Sequence, residues 1–179
     1  LIVLDEAYIE FAGDDLGANL SRIREVPARE NLIVLRTFSK WAGLAGLRIG
    51  YGAFPLWLMP TLWKSKQPYN VNVAASVAAQ VSLEHTDELK KVVELLKEER
   101  ARLFKALQEI PYIKPYPTQS NFILCQVVGR DAAELKARLA QEHGVFIRYF
   151  NKPGLRDHIR ISVGRPQDTD VLLDALRKL

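Results

Sequence analysis

Lys40 stands inside LRTFSKWAGLAGLRIGY, residues 35–51, between small hydroxyl residues and a run of Gly, Ala and Leu. A lysine that serves only solubility needs no such setting. An amine in a partly buried place, where its ammonium form is disfavoured, is a nucleophile toward carbonyl groups. Thr37 and Ser39 precede it, and Arg48 follows eight residues later. Hydroxyls, backbone N–H groups and a guanidinium are the donors that a phosphate group requires. Gly43 and Gly46 allow the chain between them to turn tightly and pack closely. Asp5 ends the opening apolar run, and Tyr8 lies three residues beyond it. A carboxylate can keep a pyridine nitrogen protonated, and a phenol can donate to a phenolic oxygen. A lysine, a carboxylate, a phenol and a phosphate-binding set are the complement that pyridoxal 5'-phosphate (PLP) needs.

Those groups must be delivered to one place by regular elements. Strands are predicted over Leu1–Leu4, Leu32–Leu35, Arg48–Ala53, Asn121–Val127, Val145–Tyr149 and His158–Val163. Helices are predicted over Leu56–Lys66, Val73–Leu83, Thr86–Glu109, Asp131–His143 and Gln167–Leu179. Their alternation argues for an α/β fold. LIVL before two acids reads as a buried strand that presents Asp5 at its C-terminal end, where ligands sit in open α/β sheets. Folds seldom open on such a strand, so the chain reads as the C-terminal portion of something longer. In the longest helix Leu89, Val93, Leu96, Leu103 and Leu107 fall on one stripe. Prolines 111, 115 and 117 then break the pattern. The lobe boundary is placed near residue 84, giving segments 1–84 and 85–179.

The 179 residues are 48% hydrophobic and 26% charged, with a net charge of +4, and their basic residues are interleaved with acids. That pattern lacks a nucleic-acid-binding stripe and suits small anionic substrates. No apolar run approaches the ~20 residues of a membrane span. The histidines show no metal-ligand spacing, so no metal site is expected. Cys125, in NFILCQV, reads as a buried small hydrophobe, and a single cysteine suits a reducing compartment. Trp41, Trp57 and Trp63 read as packing or interface residues.

LDEAYIEF together with RTFSKWAGLAGLRIGY resembles the fold-type I, PLP-dependent aminotransferases, and within them the histidinol-phosphate branch. QPYNVNVAA, YPTQSNFILC and HIRISVGRPQDTD follow in matching order, so the resemblance covers essentially the whole chain. It implies the C-terminal part of a large PLP-binding domain with a mostly parallel sheet, followed by a small C-terminal α/β domain. It implies transfer of an amino group between L-histidinol phosphate and 2-oxoglutarate, giving imidazole acetol phosphate and L-glutamate. Lys40 matches the lysine that holds the cofactor and moves the substrate α-proton. Asp5 matches the partner of the pyridinium nitrogen, and Tyr8 the donor to the phenolic oxygen. Thr37, Ser39 and Arg48 match the phosphate site. Arg160 and Arg148 match the arginines that bind substrate anions. The family works as a homodimer whose partner subunit contributes to each site.

Strand alternation puts His158, Arg160 and Ser162 on one face, opposite Ile159, Ile161 and Val163. Phe146 and Phe150 share the face of Arg148, which should stand between apolar walls. The plain alternatives are a turn former at Thr37, core filling at Tyr8, a structural ion pair at Arg48 and a strand cap at Asn121. Rival functions are a threonine-phosphate decarboxylase or another aminotransferase on the same scaffold, and a catalytically silent fragment. The family and the composition suggest the cytoplasm of a bacterium, or the plastid stroma if the source is a plant.

Overall fold

The computed structural model describes residues 1–179. β1 (Ile2–Asp5) and β2 (Leu32–Thr37) pair in parallel, with Ile2 opposite Leu32 and Asp5 opposite Leu35. β3 (Gly50–Ala53) runs antiparallel to β2, with Thr37 opposite Gly50, so the sheet order is β1-β2-β3. Val26, Leu32 and Val34 form a small buried core under this sheet, joined by Leu4, Ile23 and Ala53. Short 3-10 turns connect the strands, at Ile9–Phe11, Asp15–Gly17, Ile23–Ala28 and Ala45–Leu47.

Two expectations are corrected here. β1 is not a buried strand: Ile2 and Val3 are 52% and 55% exposed. It pairs with β2 alone, so its other edge and much of its surface meet solvent. β3 begins at Gly50 and not at Arg48, because Arg48 adopts a left-handed conformation (φ 56°, ψ 47°) that no strand accommodates. Gly50 follows as a requirement, since a Cβ there would lie 2.6 Å from the Arg36 carbonyl oxygen.

α1 (Met59–Ser65) is shorter than predicted, with a 3-10 turn at Leu56–Leu58 ahead of it. α2 (Val73–Glu84) starts at Asn72, whose side chain accepts the Ala75 N–H at 2.8 Å. It buries only Ala75 and Ala79, while Val73, Val77, Val81 and Leu83 are exposed. α3 (Thr86–Leu107) buries Val93, Leu103 and Leu107 from the predicted stripe. The chain divides into two compact units, Leu1–Val93 and Glu94–Leu179. No helix is long and apolar enough to cross a membrane.

The second unit is built on an antiparallel sheet of order β4-β5-β7-β6. Its strands are β4 (Ile113–Pro115), β5 (Phe122–Val127), β6 (Arg148–Tyr149) and β7 (His158–Ser162). β4 was not predicted, because its prolines read as a break. An edge strand tolerates Pro115, since the missing N–H can face outward. Ile123, Cys125, Ile159 and Ile161 are fully or almost fully buried and pack with Leu103, Leu107, Leu139, Leu172 and Leu176. Burial pushes the Cys125 thiol up to about 12, as suits a core residue and not a nucleophile.

Two helices flank these strands in sequence. α4 (Ala132–His143) is capped by Asp131, which accepts the Glu134 N–H at 2.8 Å, and ends at a left-handed Gly144. α5 (Pro166–Lys178) carries Thr169, which with Arg102 hydrogen-bonds the buried Glu99 carboxylate of α3. Burial alone would push Glu99 up, but those bonds outweigh it and hold the carboxyl below its ordinary range. A depressed carboxyl contributes stability above its unfolded value, and that stability is lost as pH falls through the folded value.

Removing apolar volume from this core should cost far more than removing it from the surface. Ile159→Ala should destabilise the chain by about 2–5 kcal/mol in urea unfolding. Phe146→Ala, at a side chain 83% exposed, should change stability by no more than about 0.5 kcal/mol.

Candidate active site

In the first unit, Asp5 and Tyr8 lie at and beyond the end of β1, and Thr37, Ser39 and Lys40 at and beyond the end of its neighbour β2. The β1–β2 register aligns Asp5 with Leu35, and the Glu6 N–H continues the ladder to the Leu35 carbonyl at 2.9 Å. Asp5 is exposed and bends the following backbone by accepting the Ala7 N–H at 3.0 Å. The Lys40 ammonium lies over the Tyr8 ring, 5.5 Å from its centroid. That contact joins the two segments which the sequence had connected only by residue type.

Lys40 departs from one expectation, because it is exposed and not partly buried. The reason lies in its neighbours. Phe38 and Trp41 are 4% and 6% exposed, with ring centroids 5.7 Å apart. These two anchor the loop inward, and the lysine between them is left outside. Backbone bonds close the loop, from Phe38 N–H to the Ile49 carbonyl and from Leu44 N–H to the Phe38 carbonyl.

Thr37 is a turn former here. Its Oγ1 accepts the Ser39 N–H at 3.0 Å and donates to the Ile49 carbonyl at 3.3 Å. The Ser39 hydroxyl stays uncommitted. Arg48 is exposed and donates from Nη1 to the Ala45 carbonyl at 3.0 Å, leaving other N–H groups open. Gly43 does supply a turn, at φ +69°, but no close packing: a Cβ at Gly43 or Gly46 would meet nothing within 4 Å.

Sequence reasoning missed a cluster behind these segments. Glu6 and Glu10 are 8% and 3% exposed, and both face Arg36 of β2. The signal was available: an arginine inside the apolar strand LIVLRT, and two glutamates four residues apart within EAYIEF.

In the second unit, Arg148 of β6 stands directly opposite Arg160 of β7. Like charges at facing positions are ordinarily destabilising. Arg160 is half-buried, packs its guanidinium over the Phe122 ring at 4.8 Å, and leaves a buried Nε without a partner. Arg148 is exposed, with the Phe150 ring 5.7 Å from its guanidinium. The second apolar wall is absent, since Phe146 points into solvent. Both cations thus lie against aromatic faces with N–H donors unspent. His158, on the same strand face as Arg160, bonds Asp157 through Nδ1 at 2.7 Å and stacks on Tyr116.

Comparison with known proteins bears on both halves. The model of the family "Aminotransferase class I and II" matches residues 1–176. The chain belongs to this family. It is 53% identical over 179 residues to the chloroplastic histidinol-phosphate aminotransferase 1 of Arabidopsis thaliana, covering 99% of this chain and 42% of that protein. It is 52% identical over 182 residues to the histidinol-phosphate aminotransferase of Roseiflexus castenholzii, covering 100% and 47%. This aminotransferase-family chain therefore spans less than half the length of those relatives. Among solved structures, it matches the Sinorhizobium meliloti histidinol-phosphate aminotransferase in complex with pyridoxal-5'-phosphate at a TM-score of 0.84 and 32% identity, over 99% of this chain and 49% of that one. It also matches the L-threonine-O-3-phosphate decarboxylase of Porphyromonas gingivalis at a TM-score of 0.87 and 28% identity, over 98% and 54%. The α/β fold is that of fold-type I enzymes.

The left-handed backbone at Arg48 carries a testable strain. Arg48→Gly should leave the unfolding midpoint unchanged or raise stability by up to about 1 kcal/mol, because glycine adopts that conformation without cost. A clear loss of stability in thermal unfolding would mean that the bond to Ala45 outweighs the strain.

Proposed function

We propose that this chain is the C-terminal portion of a PLP-dependent histidinol-phosphate aminotransferase that works as a homodimer. The observation that carries the reading is the meeting of Lys40 with Tyr8 beside Asp5, in a chain whose high-identity relatives bear that enzyme's name. The donor set fits the cofactor. Asp5 offers its second carboxylate oxygen, Ser39 a free hydroxyl, and Arg48 a guanidinium with N–H groups to spare. Those are the groups that a protonated ring nitrogen and a phosphate ester require.

PLP, when bound, supplies an aldehyde for the amine and a protonated ring that withdraws electrons from the substrate α-carbon. The residues of this chain do the rest. Lys40 would hold the cofactor through its amine and, once the substrate amine has displaced it, carry the proton between the substrate α-carbon and the cofactor. Asp5 keeps the ring nitrogen protonated. Tyr8 donates to the phenolic oxygen. Ser39, Arg48 and the Thr37-stabilised turn hold the phosphate. Arg160 and Arg148 bind the phosphate of histidinol phosphate in one half-reaction and the carboxylates of glutamate or 2-oxoglutarate in the other, because a planar guanidinium fits either anion. Segments 1–84 and 85–179 are read as large-domain and small-domain portions. The compartment would be the cytoplasm of a bacterium or the stroma of a plastid, since a plant and a bacterial relative match almost equally.

A second reading keeps the cofactor and changes the reaction. It is favoured by the likeness to the threonine-phosphate decarboxylase structure, as close in fold as the aminotransferase one. Release of carbon dioxide with no need for a keto acid would support it over transamination.

Reduction with borohydride after adding PLP to the purified chain tests the site itself. Mapping should find the label on Lys40, with labelling lost in Lys40→Ala. Labelling scattered over many lysines, and unchanged in that variant, would sink the assignment of Lys40. In the complete dimeric protein, Arg160→Ala should lower kcat/KM for both substrates by at least about tenfold, as expected when a charge-assisted hydrogen bond worth about 1.5–3 kcal/mol is removed.

A further inference from the structure

Behind the segments that carry Asp5, Tyr8, Thr37 and Lys40 lies an acid–base cluster which the proposed reaction does not use. Arg36 points Nε at Glu6 Oε2 from 3.6 Å and Nη2 at Glu10 Oε1 from 3.5 Å, and its Nη1 donates to the Tyr51 phenol at 3.3 Å. Its side chain is only 14% exposed. The two carboxyls differ in how well they are satisfied. Glu6 accepts from the Ser21 hydroxyl at 2.6 Å and from the Arg22 N–H at 2.8 Å. Glu10 Oε2 is buried without a hydrogen-bond partner, as are Arg36 Nε and Nη2. One guanidinium thus faces two buried carboxyls at ion-pair distance, outside hydrogen-bond reach. If both carboxyls were ionised, the cluster would carry a net negative charge away from water, which is costly.

The cluster also has a position. Glu6 and Glu10 flank Tyr8 and follow Asp5 in the chain, and Arg36 immediately precedes Thr37. We propose that Glu10 is a positioning residue: in its protonated form it lets Arg36 clamp the Asp5–Tyr8 segment to the Thr37–Lys40 segment, and its ionisation loosens that clamp. The groups that act on Glu10 agree with this role. Burial pushes its carboxyl up, its own backbone bond and Arg36 draw it partly back, Glu6 adds repulsion, and the result is about 7. The charged groups facing it are Arg36 from β2 and Glu6 from the end of β1, and Tyr51 of β3 reaches the same arginine.

The sign follows from linkage. Between the ordinary carboxyl value and about 7, the unfolded chain has released the proton that the folded chain still holds. Stability therefore falls as pH rises through that window, and the fall ends above it. The clamp is independent of what the segments bind. Its consequence for the cofactor rests on the PLP reading above.

The test is thermal unfolding of the full chain, without cofactor, from about pH 5 to about pH 8, for the wild type and Glu10→Gln, with PLP dissociation constants measured over the same range. The wild-type Tm should fall with rising pH up to neutrality, and Glu10→Gln should abolish that fall. Wild-type PLP affinity should weaken at least threefold more across neutrality than that of Glu10→Gln, as expected if a group ionising near pH 7 is linked to binding (roughly threefold or more). Superimposable Tm profiles would overturn the proposal. Differing Tm profiles with superimposable PLP profiles would overturn the positioning role and leave only a structural one. If neither protein bound PLP, the cofactor reading would fail, and the Tm profiles would still decide the clamp. Should Glu10→Gln not fold, infrared spectroscopy of the wild type decides it. A protonated-carboxyl band present near pH 6 and lost by about pH 8 supports the clamp, and its absence at the lower pH overturns it.

Discussion

The parallel pairing of β1 with β2 is the constraint on which the first unit depends. It sets Asp5 level with Leu35, so the two chains leave the sheet side by side. Asp5 and Tyr8 then follow one strand while Thr37, Ser39 and Lys40 follow the other. A slip by one residue would turn Leu32 and Val34 out of the core, and Arg36 with them away from Glu6 and Glu10, because side chains alternate along a strand. Register, core and site are therefore one specification. β3 closes the arrangement from the other edge of β2, and its Gly50 lets the two backbones approach where Thr37 ends the strand.

The second unit solves a different problem, the holding of two cations side by side. Facing arginines on β6 and β7 would repel, and an ordinary sheet would carry an opposite charge at one of those positions. Here each guanidinium lies against an aromatic ring, Phe122 for Arg160 and Phe150 for Arg148. The ring faces offset part of the repulsion while leaving N–H donors unspent. Beneath them Ile159 and Ile161 are buried to 0% and 2% exposure, so the same strand that offers Arg160 also anchors the core.

Much of this was legible in the residues. The alternation of β7, the stripe of α3, the α/β class and the meeting of Lys40 with Tyr8 follow from spacing, residue type and family resemblance. What escaped has physical causes. β4 hid behind its prolines, which an edge position tolerates. The exposure of β1 reflects which strands pair with it, and a local apolar run cannot reveal that. The exposure of Lys40 depends on Phe38 and Trp41 turning inward around it. The Glu6–Glu10–Arg36 cluster joins residues far apart in the chain, and the carboxylates that carry it read locally as a polar surface. The part of the Thr37 hydroxyl in the turn that presents Ser39 depends on the Ile49 carbonyl, 12 residues on.

The central claim is that the β1 and β2 ends form a cofactor site around Lys40. A crystal structure of the chain with PLP bound tests it most directly. The account predicts density continuous with Lys40 Nζ, the ring nitrogen on Asp5, and the phosphate among Ser39, Arg48 and the Thr37 turn. Cofactor seated elsewhere, with Asp5 and Lys40 as they stand without it, would contradict it.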